Sequence, residues 1–186
     1  WYTMPDLFCV SGESLVRNFE YGMERCRELG GTPSVAANAC DCFGHPGQLP
    51  QIYKQFGMAM ATIWRGTNHK DHRNLLWSSP DGSEIACYRF GRNSYWGYGV
   101  HVRNVNKFDV DYTPERFTDD LSKWIHFEGE RTATSQTLLF DGIDHAAWDQ
   151  GNYDQLSKVL GQEVSGHTIE HASFDDYARK LAAESH

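Results

Sequence analysis

The chain has 186 residues, of which 40% are hydrophobic and 13% aromatic, and its formal net charge is −8. This composition is typical of a folded domain with a hydrophobic core and excludes a disordered chain. The net negative charge and the lack of a Lys/Arg run argue against nucleic acids and anionic membranes as partners. No apolar run reaches the length of about 18 residues that a membrane-spanning helix needs.

The cysteines and the first residues bear on the compartment. Five cysteines, an odd number without framework spacing, predict a reducing and therefore cytoplasmic location. Cys40 and Cys42 are expected to be buried free thiols, with metal binding as the alternative. The chain begins at Trp1 without a charged-then-apolar signal, so we expect an internal segment of a longer protein.

In the first half of the chain, apolar periodicity predicts helices alternating with strands. In order, we predict a loop over residues 1–10, a helix from Ser11 to Leu29, a buried strand at residues 35–37, a helix over residues 49–56 ended by Gly57, and a buried strand at residues 58–64.

The second half continues this pattern after one antiparallel insertion, so the sequence predicts a parallel α/β fold without internal repeats. In order, we predict a hairpin over residues 75–90, an irregular aromatic-rich loop over residues 91–112, a helix that begins at Thr113-Pro114, a strand at residues 137–140, a helix over residues 152–160, a strand at residues 168–170, and a last helix capped by Ser173.

Two strand ends carry acidic residues and histidines. Asp41 and His45 follow the strand at residues 35–37, and Asp141, Asp144 and His145 follow the run at residues 137–140. The C-terminal edge of a parallel sheet is where α/β proteins place their chemistry. Paired carboxylates there suit the hydrolysis of a glycosidic bond, whereas Asp and His together also suit a divalent metal. Asp41 could instead only cap the following helix.

Further polar residues are weaker candidates. Arg65 follows the strand at residues 58–64 and could bind a substrate hydroxyl or a carboxylate, or form a structural salt bridge. Asp6 could line a sugar pocket beside Trp1 or be an exposed loop acid. The loop that contains His69, Asp71 and His72 has the residue types of a metal site, but its loose spacing favours solvated side chains.

Several motifs in chain order resemble the catalytic domain of glycoside hydrolase family 38 α-mannosidases. They are WYTMPD and VSGESLVRN near the start, DCFGHPGQLPQI at residues 41–52, WRG at residues 64–66, LLWSSPDGSEI at residues 75–85 and LLFDGIDH at residues 138–145. The resemblance implies that residues 1–186 are part of a (β/α)7 barrel with one hairpin insertion. It also implies hydrolysis of α-mannosides with retention of configuration at a zinc-containing site.

The resemblance assigns roles residue by residue. Asp41 matches the nucleophile, which is also a metal ligand, and Asp144 matches the general acid/base. Asp6 and Arg65 match positions near the sugar, and His145 is also expected to bind the substrate. Its zinc-binding H-x-H-x-D motif does not occur in this chain, so the other Zn²⁺ ligands are expected outside it, and we expect the N- and C-terminal parts of the barrel to be missing.

The expected partner is an α-mannoside or a mannose-containing glycan, and the longer protein could form a homo-oligomer. Two alternatives stay open at this point. One is a metal-dependent carbohydrate deacetylase on a related barrel, which would use metal-bound water. The other is a truncated sugar-binding fragment without activity, since this chain alone is expected to lack most of its metal ligands.

Overall fold

The computed structural model describes residues 1–39, 41–67, 72–107, 110 and 112–185. Cys40, His69 and Asp71, which the sequence analysis considered as metal ligands, lie outside the described residues.

The chain divides into two compact units. The sheet unit comprises Trp1–Gly91 and Phe174–His186, and the helical unit comprises Arg92–Ser173. In chain order the described elements are α1 (Gly12–Glu28), β1 (Ala36–Asn38), α2 (Leu49–Gln55), β2 (Met60–Ile63), β3 (Asn74–Ser78), β4 (Glu84–Arg89), a 3-10 turn (Ser94–Trp96), α3 (Gly97–His101), α4 (Pro114–Gly129), α5 (Gln150–Val159), β5 (Glu163–Val164), β6 (His167–Thr168) and α6 (Phe174–Glu184).

The sheet unit contains a four-stranded sheet in the order β1-β2-β4-β3. β1 pairs with β2 and β2 with β4 in parallel, whereas β3 and β4 form an antiparallel hairpin with Trp77 opposite Ile85. All four residues of β2 are buried, as expected for a central parallel strand that is covered on both faces. The hairpin and the parallel strands of this unit are therefore as predicted.

Helix α1 shows how local signals and burial act together. Its cap is Ser11, whose Oγ accepts a hydrogen bond from the Ser14 N–H at 3.2 Å, and Gly30 ends it at φ +80°. Leu15 and Phe19 on one face are buried. The ring of Phe19 stacks on that of Phe56 with centroids 5.0 Å apart. The predicted helix from Ser11 to Leu29 is confirmed.

The helical unit is organised around α4. Thr113 caps the helix by accepting a hydrogen bond from the Arg116 N–H at 3.4 Å, and Pro114 occupies the first turn. The predicted apolar stripe is buried, and it consists of Phe117, Leu121, Trp124 and Ile125. The helix predicted over residues 152–160 corresponds to α5, and the predicted strand at residues 168–170 corresponds in part to β6, which pairs with β5.

The sequence predicted an irregular loop over residues 91–112, and this prediction is wrong in part. These residues contain the 3-10 turn and α3, a short helix that is marginal by itself. Tertiary contacts stabilise it, because Tyr98 and Val102 are buried in the same cluster as Trp124. The His101 ring also stacks on Trp124 with centroids 4.4 Å apart.

The predicted strand at residues 137–140 is wrong, because the structure assigns no strand to residues 132–149. An apolar run becomes a strand only when a neighbour completes its hydrogen bonds, and the paired strands described in this unit are β5 and β6 alone. Alternating helices and strands therefore hold in the sheet unit and not in the helical unit. The chain is mixed α/β with a mainly parallel sheet, and the (β/α)7 barrel stays a prediction.

Among the described residues, no helix combines the length and the hydropathy that crossing a bilayer requires.

Two matched substitutions on α1 test the buried face. Leu15 is 4% exposed and Leu29, at the end of the same helix, is 87% exposed. We expect Leu15→Ala to lower the free energy of unfolding by about 2–5 kcal/mol, because it leaves a cavity in the core. Leu29→Ala should change it by less than about 0.5 kcal/mol. Urea unfolding followed by circular dichroism measures both, and equal losses would contradict this account of the core.

Candidate functional site

Asp41 and Arg65 follow two neighbouring parallel strands, β1 and β2, in which Asn38 lies opposite Thr62. The Thr62 hydroxyl donates to Asn38 Oδ1 at 2.7 Å and ties the two strand ends together. Just beyond them, Arg65 Nε donates to Asp41 Oδ1 at 2.6 Å. Both side chains therefore lie at the same edge of the sheet, and Arg65 binds a carboxylate there.

The ion pair lies at the surface, between aromatic rings. The Asp41 side chain is 51% exposed and that of Arg65 is 38% exposed. The guanidinium carbon of Arg65 is 4.3 Å from the ring centroid of Trp64 and 5.0 Å from that of Phe43. Exposed ion pairs contribute little to stability, so this arrangement serves mainly to orient the two side chains.

Asp6 reaches the same place through the N-terminal segment, residues 1–10. Asn18 on α1 anchors this segment, since its Oδ1 accepts from the Tyr2 N–H at 2.6 Å and its Nδ2 donates to the Thr3 carbonyl at 3.0 Å. A turn closed by the Cys9 N–H and the Asp6 carbonyl follows, and the Asp6 side chain is exposed.

Cys42 connects the N-terminal segment to the loop that carries Asp41. Its buried thiol donates to the Pro5 carbonyl, with sulfur and oxygen 3.1 Å apart. Burial raises the pKa of the thiol, and the nearby carboxylates of Asp6 and Asp41 raise it further. The structure therefore brings Asp6 and Asp41 near the Cys42 thiol, with Arg65 paired to Asp41, and the prediction of a buried free cysteine is confirmed for Cys42.

Two glycines allow the loops to approach so closely. Residues 41–45, which we call the Asp41 loop, contain Gly44 at φ +139°, where a Cβ would overlap the Phe8 ring. Gly66 has φ +76°, and a Cβ there would lie 2.9 Å from Gly44 Cα. Only glycine suits these positions, so the N-terminal segment, the Asp41 loop and the turn at residues 65–66 pack directly against one another.

His45 ends the Asp41 loop and points inward. Its ring lies 6.0 Å from that of Trp77, nearly perpendicular to it. Both ring nitrogens are buried, and neither makes a hydrogen bond of ordinary geometry with the described residues. Burial lowers the pKa of His45, and the nearby Arg65 backbone opposes this shift.

In the helical unit, Asp144 is held by Tyr95, which the sequence analysis recognised only as part of an aromatic-rich loop. The Tyr95 hydroxyl lies 3.1 and 3.2 Å from the two carboxylate oxygens, and the Gly142 N–H donates to the Tyr95 carbonyl at 3.0 Å. Asp144 and His145 are exposed, and His145 has φ +55°. The hydroxyl group of Tyr95 is the sequence feature that could have indicated a hydrogen bond to Asp144.

Asp141 differs from Asp144 in its environment. Arg103, whose side chain is 10% exposed, binds Asp141 Oδ1 at 3.1 Å and Asp149 Oδ2 at 3.4 Å. Asp141 is thus part of an ion-pair network, although its side chain is 40% exposed, whereas the exposed Asp144 carboxylate is bound by the neutral Tyr95 hydroxyl.

Asp41 belongs to the sheet unit and Asp144 to the helical unit, and their convergence across one cleft stays a prediction. No group of three or more His, Cys, Asp or Glu side chains suitable for a metal occurs among the described residues. Zinc requires about four ligands. Asp41 alone therefore does not make a zinc site from the described part of the chain, and His72 belongs to no such group.

Gly44 and Gly47 offer a matched test of the interlocked loops. Gly44→Ala places a methyl group against Phe8 at a positive φ, so we expect a loss of about 1–3 kcal/mol in the free energy of unfolding. At Gly47 no atom lies within 4 Å of a Cβ, so Gly47→Ala should cost less than about 0.5 kcal/mol. Thermal and urea unfolding compare the two variants, and a tolerated Gly44→Ala would refute the close packing.

His45 makes stability depend on pH. Its pKa in the folded protein lies below the ordinary 6.5, so the unfolded chain takes up the proton first as the pH falls. Its contribution is complete above about pH 6.5 and is lost below that value. Relative to the wild type, His45→Gln should lose less stability between about pH 7 and about pH 5.5. Urea unfolding at several pH values measures this difference, and parallel curves would contradict it.

Known proteins place this architecture in a family. The whole chain, residues 1–186, matches the family model described as "Glycosyl hydrolases family 38 N-terminal domain". A putative mannosylglycerate hydrolase of Halalkalibacterium halodurans is 28% identical over 99% of this chain and 21% of its own length. An α-mannosidase of Saccharomyces cerevisiae is 26% identical over 69% of this chain and 12% of its own length.

The fold is also similar to a solved structure. The crystal structure of an α-mannosidase from Enterococcus faecalis matches 100% of this chain and 20% of that chain, with a TM-score of 0.76 and 22% identity. The chain spans about a fifth or less of the length of these proteins. The match over every residue, together with the site described above, shows that this chain belongs to glycoside hydrolase family 38.

Proposed function

We propose that this chain forms part of the catalytic centre of an α-mannosidase that works with retention of configuration, with Asp41 as its nucleophile. The observation that supports this most is the exposed Asp41 carboxylate, which Arg65 holds at the C-terminal edge of the parallel sheet. Membership of family 38 supports a glycosidase, and the activity is proposed for the protein of which these residues form the catalytic part.

The nucleophilic role follows from how the carboxylate is held. Arg65 Nε binds Oδ1, while Oδ2 makes no hydrogen bond to any residue that the structure describes. One oxygen is therefore fixed and the other is free to attack the anomeric carbon, with the rotation of the group restricted by Arg65. The interlocked N-terminal segment and Asp41 loop keep this geometry rigid.

Asp144 is proposed as the general acid/base. It would protonate the departing oxygen and then accept a proton from the water that hydrolyses the glycosyl–Asp41 ester. The Tyr95 hydroxyl, 3.1 Å from Oδ1, would orient the carboxyl group. The proposal requires the two carboxyl groups to approach to about 5–5.5 Å with one mannose between them.

A bound zinc ion remains a prediction. Among the described residues, Asp41 would be its ligand. When bound, the ion would coordinate sugar hydroxyls and stabilise charge at the reacting centre. No step proposed here for Asp41, Asp144 or Arg65 depends on it.

The substrate is proposed to be an α-mannoside or a mannose-containing glycan. The relatives are named α-mannosidase and mannosylglycerate hydrolase, and each of these names describes a substrate that contains mannose. Asp6 and Arg65 beside Asp41, and His145 beside Asp144, are the side chains proposed to contact the sugar. The reducing, cytoplasmic compartment and a homo-oligomer stay predictions.

Covalent trapping tests the nucleophile. An activated fluorinated mannoside should label the peptide that contains Asp41, because the fluorine slows both steps while the activated leaving group restores the rate of ester formation, so that the ester accumulates. Mass spectrometry identifies the labelled residue in the active, zinc-supplied enzyme. Asp41→Asn should abolish labelling and lower kcat by more than about 10³-fold, since the amide is not a nucleophile.

Asp119→Asn is the matched control, because Asp119 is an exposed acid on the surface of α4 that pairs with Lys123. It should leave labelling and kcat unchanged. Turnover of an α-mannoside without a label on Asp41 would overturn the proposed nucleophile. Deacetylation of a sugar without a glycosyl intermediate would replace the proposal with the deacetylase alternative.

A further inference from the structure

We propose that Arg65 is a receptor for an anionic group on the substrate, a carboxylate or a phosphate near the scissile bond. This inference rests on the proposed function for the mannoside itself. It adds that charged mannosides are preferred over neutral ones, and that the preference is set by one side chain.

The first argument is the set of hydrogen-bond donors that Arg65 leaves open. A guanidinium has five N–H donors, and Arg65 uses the one on Nε for Asp41. Its Nη1 and Nη2 atoms make no hydrogen bond to the residues that the structure describes. Because the side chain is 38% exposed, these donors are accessible from solvent.

Other arginines show what a fully engaged side chain looks like. Arg25 also stacks on an aromatic ring, at 5.1 Å from the centroid of Tyr21. Its Nε and Nη2 bind the Tyr21 hydroxyl and its Nη1 binds Glu28, so all three nitrogens have partners. Arg103 likewise uses all three nitrogens and is nearly buried. Arg65 differs from both in its open terminal edge.

The second argument is that the orientation of this edge is fixed. The Asp41 bond holds Nε, and the rings of Trp64 and Phe43 lie 4.3 and 5.0 Å from the guanidinium carbon. Three contacts on one side chain restrict its rotamers before any ligand arrives. A ligand that binds the terminal edge therefore loses less free energy to the ordering of Arg65.

The third argument is the chemistry of that edge. The terminal nitrogens of a guanidinium present parallel N–H donors, which match the two oxygens of a carboxylate or phosphate. A sugar hydroxyl accepts through one oxygen, so it does not pair with both parallel N–H donors as a carboxylate or phosphate does. An anion at the terminal edge also lies farther from Asp41 than from Arg65, so the attraction exceeds the repulsion.

Binding to the 186-residue protein tests this without turnover. In ¹⁵N-labelled protein, the Nε–Hε resonance of Arg65 reports on its guanidinium, and the fluorescence of the adjacent Trp64 gives a second signal. The probes are D-glycerate and inorganic phosphate, with glycerol as the neutral control. We expect saturable changes with glycerate or phosphate and none with glycerol, and the tighter of the two anions identifies the group.

The variants make the assignment specific. Arg65→Met should abolish the anion response of Trp64, and Arg65→Lys, which keeps the charge without the fork, should weaken binding about 10-fold. Arg25→Met removes an arginine that also stacks on a ring, and it should bind anions as the wild type does. Circular dichroism and thermal unfolding check that each variant is folded.

The outcomes separate this inference from the proposed function. Equal responses to glycerate, phosphate and glycerol, or retained anion binding in Arg65→Met, would overturn it even if Asp41 is labelled by the mannoside. Conversely, an Arg65-dependent anion response supports the receptor even if no turnover is found. In the active enzyme, Arg65→Lys should lower kcat/KM for an anionic mannoside about 10-fold more than for a neutral one.

Discussion

The candidate site depends on the burial of one small side chain next to an exposed one. Cys42 is buried with its thiol on the Pro5 carbonyl, whereas Asp41 next to it points outward to Arg65. The buried thiol thus holds the carboxylate in place and attaches the N-terminal segment. A larger or charged side chain at position 42 would disturb both at once.

Packing of backbone against backbone makes this arrangement rigid. Gly44 and Gly66 approach each other without side chains, and Phe8 covers Gly44 on the other side. The loops follow the ends of β1 and β2, and β2 is fully buried, so one of their anchor points is packed in the core. A site on loops gains its precision here from close contact between the loops and from the strand ends on which they stand.

The two acidic motifs of the chain, alike in sequence, are held in different ways. Asp41 follows a strand of the sheet and pairs with an arginine, whereas Asp144 lies in an irregular segment and is held by the Tyr95 hydroxyl. An arginine brings a positive charge to the carboxylate and only donates hydrogen bonds. A tyrosine hydroxyl is neutral and can either donate or accept a hydrogen bond.

The sequence by itself determined the elements whose signals are local: the capped helices α1 and α4, the hairpin, and the strands β1 and β2 with Asp41 and Arg65 at their ends. Caps, turn residues and periodicity lie within a few residues of each other, so they can be read without the fold. Tertiary structure decided whether residues 137–140 form a strand, whether residues 97–101 form a helix, and which groups hold Asp41 and Asp144. Each of these depends on partners that are distant in the chain, such as Trp124 for the short helix and Tyr95 for Asp144.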